Sequence, residues 1–128
     1  MKLWMTFAAA AALLAPLSAI GQAPRAERAA SLAQDTSGKA IYLGKGLCHA
    51  CHGPDAKGTV LAPDLTDSTW LHIDGKLESI VKLIKEGVAE PENAPAPMPP
   101  RGGAQLTDAE VDAVAAYVHS LSAKAPGS

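Results

Sequence analysis

Residues 48–52 read Cys48-His49-Ala50-Cys51-His52. Two thiols separated by two residues, with an imidazole directly after the second, form the Cys-x-x-Cys-His spacing of a c-type haem attachment site. At this spacing both thiols can reach the vinyl groups along one porphyrin edge, and two thioethers then fix the ring to the chain. His52 would lie over the iron and offer a neutral imidazole as the proximal ligand.

Two other readings stay open from these residues alone. A thioredoxin-like dithiol expects a strand-helix-strand surrounding, and no strand pattern flanks the motif. A zinc site expects a second pair of ligands, whereas His72 and His119 are single and far apart in the sequence.

Outward from the motif the chain reads as all-α. Residues 35–47 are helical in character, with Ile41, Tyr42 and Leu43 among small residues and Gly44 and Gly46 weakening the end. Residues 53–67 read as loop. Residues 74–86 form the second helix, its apolar face made by Leu77, Ile80, Val81 and Ile84. Asp74 stands where an N-cap belongs and Gly87 where the helix stops. From Glu90 to Gly103 five prolines and two glycines leave no room for a helix or a central strand. Residues 105–121 form the third helix, opened by the capping box Thr107-Asp108-Ala109-Glu110 and striped by Val111, Val114, Ala115, Val118 and Leu121. No internal repeat is visible.

The ends differ from the middle. Lys2, the apolar run Leu3 to Ala15 and the small residues after Pro16 have the order of a secretory signal peptide. The run is short for a membrane span, although an uncleaved anchor is the alternative. Cleavage after Ala19 or Gly21 is expected, and no Cys near that boundary suggests a lipid anchor. The expected organisation is a signal peptide over 1–21, a flexible extension over 22–34, one domain over 35–122 and a frayed tail over 123–128. Without Lys2, ten Lys and Arg stand against thirteen Asp and Glu. This mildly acidic chain has no basic patch, which argues against nucleic acid as a partner. So small a domain often needs a staple such as a metal or cofactor.

Met98 is the one methionine beyond the expected signal peptide. It sits in Ala94-Pro95-Ala96-Pro97-Met98-Pro99-Pro100, where prolines hold an extended loop stiff. A thioether is a soft donor that favours ferrous iron, so Met98 is the expected second axial ligand. Filling a gap in a small core is its other use. His72 is the substitute candidate; His49 and His119 are expected to face away from the core.

The ordered set Gly38-x-x-x-Tyr42, Cys48 to His52, Ala62-Pro63-Asp64-Leu65, Met98-Pro99-Pro100 and Ala116 to Leu121 resembles the class I, His/Met-ligated cytochromes c. The likeness runs from about Gly38 to Leu121. The stretch from Ala62 to Trp70 and the helix after it are similar to haem-c domains of bacterial terminal-oxidase subunits and to small periplasmic cytochromes that serve dehydrogenases. The resemblance implies a small all-α fold around one covalent haem c, with three main helices and a crossing of the first and last near Gly38 and Tyr117. It implies that the Pro63 carbonyl accepts the Nδ1 hydrogen of His52, and that Trp70 lies near a haem propionate. Core packing is the plainer use of Trp70. Arg101 departs from the apolar residue common in relatives, and either pairs with a propionate or stands in solvent. The insert of residues 89–97 looks longer than usual.

The function expected is one-electron transfer in the periplasm, with a dehydrogenase as donor, a terminal oxidase as acceptor, or both, and no catalytic residues. A haem subunit bound to a periplasmic dehydrogenase is the close alternative. A five-coordinate haem sensor or peroxidase-like protein, and a thiol-disulfide oxidoreductase, are the more distant ones. After signal cleavage the protein is expected not to be integral to a membrane.

Overall fold

A computed structural model describes residues 25–124. The expected signal peptide over 1–21 lies outside the described residues, as do residues 125–128 of the expected frayed tail. The architecture is all-α: α1 (Arg25–Leu43), α2 (Cys48–His52), α3 (Leu77–Glu86) and α4 (Asp108–Ser122), with a 3-10 turn at Pro100–Gly103. Among the described residues the one piece of extended pairing is an isolated antiparallel bridge between Val88 and Met98. No helix there is long and apolar enough to cross a membrane.

α1 starts at Arg25, well before the expected start at residue 35. The segment expected as a flexible extension is therefore helical in backbone from Arg25, because Ala, Arg, Glu, Leu and Gln are all strong helix formers. The helix stops at Leu43 rather than 47. Gly44 and Gly46 turn their amides back to the Ile41 carbonyl, at 3.3 and 2.8 Å.

α1 packs on α4 through Gly38. A Cβ placed there would strike the Ala113 carbonyl oxygen and come within 2.6 Å of the Tyr117 Cβ. The absent side chain is what lets the two backbones approach. One turn on, the Tyr42 ring is fully buried and meets the Tyr117 ring edge-on at 5.6 Å between centroids. That geometry suits the aromatic quadrupole.

The capping box forms as expected. Thr107 Oγ1 accepts from the Glu110 amide at 3.2 Å and the Glu110 carboxylate accepts from the Thr107 amide at 2.8 Å. Of the expected stripe on α4, Val111, Val114, Ala115 and Val118 are buried. α3 departs from expectation at its start. Lys76, not Asp74, occupies the N-cap; Asp74 instead accepts the Lys76 amide at 3.1 Å in a turn of its own. The same short carboxylate serves turns and caps alike, which is why sequence placed it one role away. Ile80 and Ile84 are buried while Leu77, at the helix entry, is exposed. Gly87 ends α3 as expected, with φ 73°.

Candidate functional site: an apolar cleft between the Cys-x-x-Cys-His helix and the Met98 loop

α2 is a five-residue helix with the whole motif on it. Leu47, in the left-handed conformation at φ 55°, swings the chain from α1 into this turn. Its carbonyl then accepts the Ala50 amide at 3.0 Å. Tyr42 grips the helix at both ends. Its carbonyl accepts the His49 Nδ1 hydrogen at 3.2 Å, and its buried hydroxyl donates to the Gly53 carbonyl at 2.8 Å. His49 is thus half-buried against α1, not turned to solvent as expected. Its place one residue into a helix docked on Tyr42 brings the ring inward. Burial pushes the Tyr42 hydroxyl above the ordinary phenol range.

The motif forms one side of an open cleft of about 1170 Å³, the solvent at its mouth included. Ile80, Leu83 and Ile84 of α3 and Val114 and Val118 of α4 contribute its apolar walls. All six site residues expected from sequence line it: Cys48, Cys51, His52, Pro63, Trp70 and Met98. His52 Nδ1–H donates to the Pro63 carbonyl at 3.0 Å, so its other ring nitrogen is unencumbered by that bond. Burial holds the His52 imidazole below its ordinary pKa, against the raising pull of the Pro63 bond. A neutral imidazole is the form that ligates metal. Burial also raises the Cys48 thiol, and the two cysteines are not bonded to each other.

Met98 reaches the cleft by a different device. Its amide and carbonyl pair with the Val88 carbonyl and amide at 2.9 and 2.8 Å. Gly87 packs beneath this bridge. A Cβ there would strike the Met98 carbonyl oxygen and stand 2.8 Å from the Pro100 nitrogen. Trp70 lies over Gly75, where a Cβ would fall 2.6 Å from the indole Cδ1. His72 also lines the cleft, with Nε2 accepting the Glu92 amide at 3.3 Å.

Arg101, expected either to pair with a propionate or to stand in solvent, is half-buried in an ion pair near the surface. Its guanidinium donates to Asp108 at 2.7 Å and to the Leu106 carbonyl at 2.8 Å. This ties the chain after Met98 to the start of α4. Lys85 also pairs with Asp108 at 3.1 Å.

Sequence reasoning gave no part in the site to Tyr42, Gly58, Thr59 or Gly87, all of which hold the walls in place. Gly87 carried a signal as a helix stop, and Tyr42 as part of the Gly38-x-x-x-Tyr42 spacing. Gly58 carried only a loop signal, after Lys57, and nothing in the pattern marked Thr59.

The donor set fits a haem of c type. Two thiols and an imidazole on one wall and a thioether on the other face an apolar cleft, which suits a flat hydrophobic ring with iron at its centre. Among the described residues no group of three or more His, Cys, Asp or Glu side chains gathers as a metal cluster.

The family model of cytochrome c oxidase, cbb3-type, subunit III matches residues 33–118. The cbb3-type cytochrome c oxidase subunit CcoP of Rubrivivax gelatinosus is 39% identical over 115 residues, covering 88% of this chain and 34% of that protein. CcoP of Rhodobacter capsulatus is 36% identical over 104 residues, covering 70% of this chain and 30% of that protein. FixP of Sinorhizobium medicae is 38% identical over 88 residues, covering 66% of this chain and 26% of that protein. The chain spans about a third or less of the length of these curated relatives. No solved structure matches it. With the family model spanning most of the helical domain, the chain belongs to the cbb3-type cytochrome c oxidase subunit III family, as a class I c-type cytochrome.

Proposed function

We propose that this protein is a periplasmic one-electron carrier with a single haem c, attached through Cys48 and Cys51 and ligated by His52 and Met98. The observation that carries the reading is the convergence of these four side chains on one apolar cleft. Bound there, the haem supplies an iron that cycles between the ferrous and ferric states.

The chain's own residues do the rest. Cys48 and Cys51 hold the ring edge, so that the cofactor is not lost between encounters. Pro63 fixes the tautomer and tilt of His52 and strengthens it as a donor. The thioether of Met98 favours the reduced state and lifts the potential. The branched side chains of α3 and α4 exclude water, which disfavours the extra charge of the ferric form. No nucleophile or general base is needed, so the protein acts as a relay. Export by the signal peptide over 1–21 would place it in the periplasm, as one domain over 35–122.

A second reading is favoured by the relatives. They are subunits of terminal oxidases, so this domain would serve as a bound haem subunit of an oxidoreductase complex, with an oxidase or a dehydrogenase as its partner. Stable co-purification with a catalytic subunit would select this reading, and a monomer on size-exclusion chromatography of native extract would select the free carrier.

The test is an optical spectrum of protein matured in a periplasm with haem-attachment machinery, for wild type and Met98→Ala. The expected result is reduced bands of c type in both, with the weak ferric sulfur-to-iron band present in wild type and absent from the variant. A sulfur band surviving in Met98→Ala would remove Met98 from the ligand set. No haem at all would sink the proposal. His72 is the weaker candidate for the sixth position, since its Nε2 already accepts the Glu92 amide.

A further inference from the structure

One side chain outside the ligand set holds the acceptor of the His52 ring in place. Thr59 Oγ1 donates to the Cys51 carbonyl at 2.6 Å and accepts from the Leu61 amide at 3.0 Å. The Thr59 amide donates to the Ala62 carbonyl at 2.9 Å, and the Gly58 amide to the His52 carbonyl at 2.9 Å. The hydroxyl is therefore a node between the end of α2 and the tight turn that delivers Pro63. Pro63 has no amide hydrogen with which to anchor itself; the turn before it holds one side, and the Leu65 amide, donating to the Ala56 carbonyl at 2.8 Å, holds the other.

Within the chain itself little apolar packing holds the tip of that turn, although Leu61 lines the cleft. Val60 is 86% exposed and Leu61 41% exposed. Beneath the turn, Gly58 at φ 79° lies so close that a Cβ would stand 2.8 Å from the Pro63 carbonyl carbon. The hydrogen bonds run from Cys51 through Thr59 and its turn to Pro63, and from the Pro63 carbonyl back to His52 at 3.0 Å. The path starts and ends on adjacent residues of the motif.

We propose that Thr59 is a positioning residue: its hydroxyl sets the strength of the His52–Pro63 hydrogen bond and, through it, the reduction potential of the site. This rests on the haem reading above. A strong bond from Nδ1–H makes the imidazole a richer donor, and a richer donor stabilises ferric iron and lowers the potential. Without the hydroxyl the turn relaxes, the Pro63 carbonyl retreats and the potential rises.

The test compares Thr59→Val, of nearly the same shape, with Thr59→Ser, which keeps the hydroxyl, both as holoproteins. The readouts are the midpoint potential and the proton resonance of His52 Nδ1–H in the ferrous form. Thr59→Val is expected to have the higher potential and a weaker, faster-exchanging Nδ1–H. Thr59→Ser is expected to match wild type in both. Thr59→Val with c-type bands and an unmoved potential overturns the proposal, as does an equal shift in the two variants. A Leu61 amide in the wild type that exchanges as freely as an open loop amide also overturns it, whatever the variants do. A wild type without c-type bands defeats the haem reading first and this inference with it.

Discussion

The wall that carries Cys48, Cys51 and His52 is pinned by side-chain bonds from Tyr42, His49, Thr59 and His52 itself. The wall that carries Met98 has the Val88–Met98 pair, the Glu92 amide on His72 and one turn from Gly102 to Pro99. Proline explains the contrast. Each of the five prolines around Met98 lacks an amide hydrogen, so that segment has few donors and takes its stiffness from fixed φ angles. The first wall is organised by hydrogen bonds that the chain makes with itself. The second is stiff along its length but anchored at few points, and a bond from sulfur to iron would complete it.

The largest effect should come from removing the covalent anchors of the first wall. In the Cys48→Ala, Cys51→Ala double variant the pigment should extract completely into acidified organic solvent, whereas in wild type it stays with the polypeptide. Pigment that remains with the variant chain would break the attachment reading.

The next effect sharpens the comparison. Tyr42→Phe keeps the buried ring against Tyr117 but removes one of two donors to the Gly53 carbonyl, which keeps the Ala56 amide at 3.1 Å. One hydrogen bond lost at an acceptor that keeps another costs about 0.5–1.5 kcal/mol. The denaturant midpoint should fall with an unchanged slope, and the sulfur-to-iron band should persist, because the damage lies on the first wall. Gly87→Ala should do the reverse. A side chain at φ 73° meeting the Met98 carbonyl costs about 1–3 kcal/mol in backbone strain, and it displaces the bridge that aims the sulfur. The sulfur band should weaken while the reduced bands keep their c-type form. If both variants leave that band alike, the two walls are not independent.

The same division separates what was legible in the sequence from what was not. Features read correctly were local: the Thr107–Glu110 box, the Gly87 stop and the stripe on α4. Gly38 opposite Tyr117, and Pro63 beneath His52, came from the family resemblance, because contacts between distant residues leave no trace in local periodicity. α2 escaped notice because five residues are too few to show a helical period. The early start of α1 was missed because an Ala-rich polar stretch has helix propensity without a clear apolar stripe. Thr59 and Arg101 were opaque for a further reason: a hydroxyl or a guanidinium in a loop acquires its partners only once the loop is folded. In the site, then, the residues that line the cleft were readable, and most of what holds them was not.

The smallest effect concerns the outer anchor of the second wall. Asp108 accepts from Arg101 at 2.7 Å and from Lys85 at 3.1 Å. It thereby joins the chain after Met98 to the ends of α3 and α4. The Arg101 hydrogen bond, with Lys85 behind it, holds the Asp108 carboxyl below the ordinary carboxylate range. A depressed folded value means that the unfolded chain binds the proton first as pH falls. The stabilisation is therefore complete above about pH 4, the ordinary carboxylate value, and disappears as pH drops through the lower folded value. Asp108→Asn should melt below wild type at pH 7, by a small margin because these charges are solvent-exposed. The deficit should close on acidification. Asn at this first helical position also removes a negative charge from the helix N-terminus, so the Arg101→Ala variant and the double variant are needed to isolate the pair. A deficit that stays constant into strong acid, or double-variant effects that simply add, would mean that Arg101 does not act through Asp108. The Met98 wall would then rest on its bridge, its prolines, the Glu92–His72 and Gly102–Pro99 bonds and the Arg101 bond to the Leu106 carbonyl.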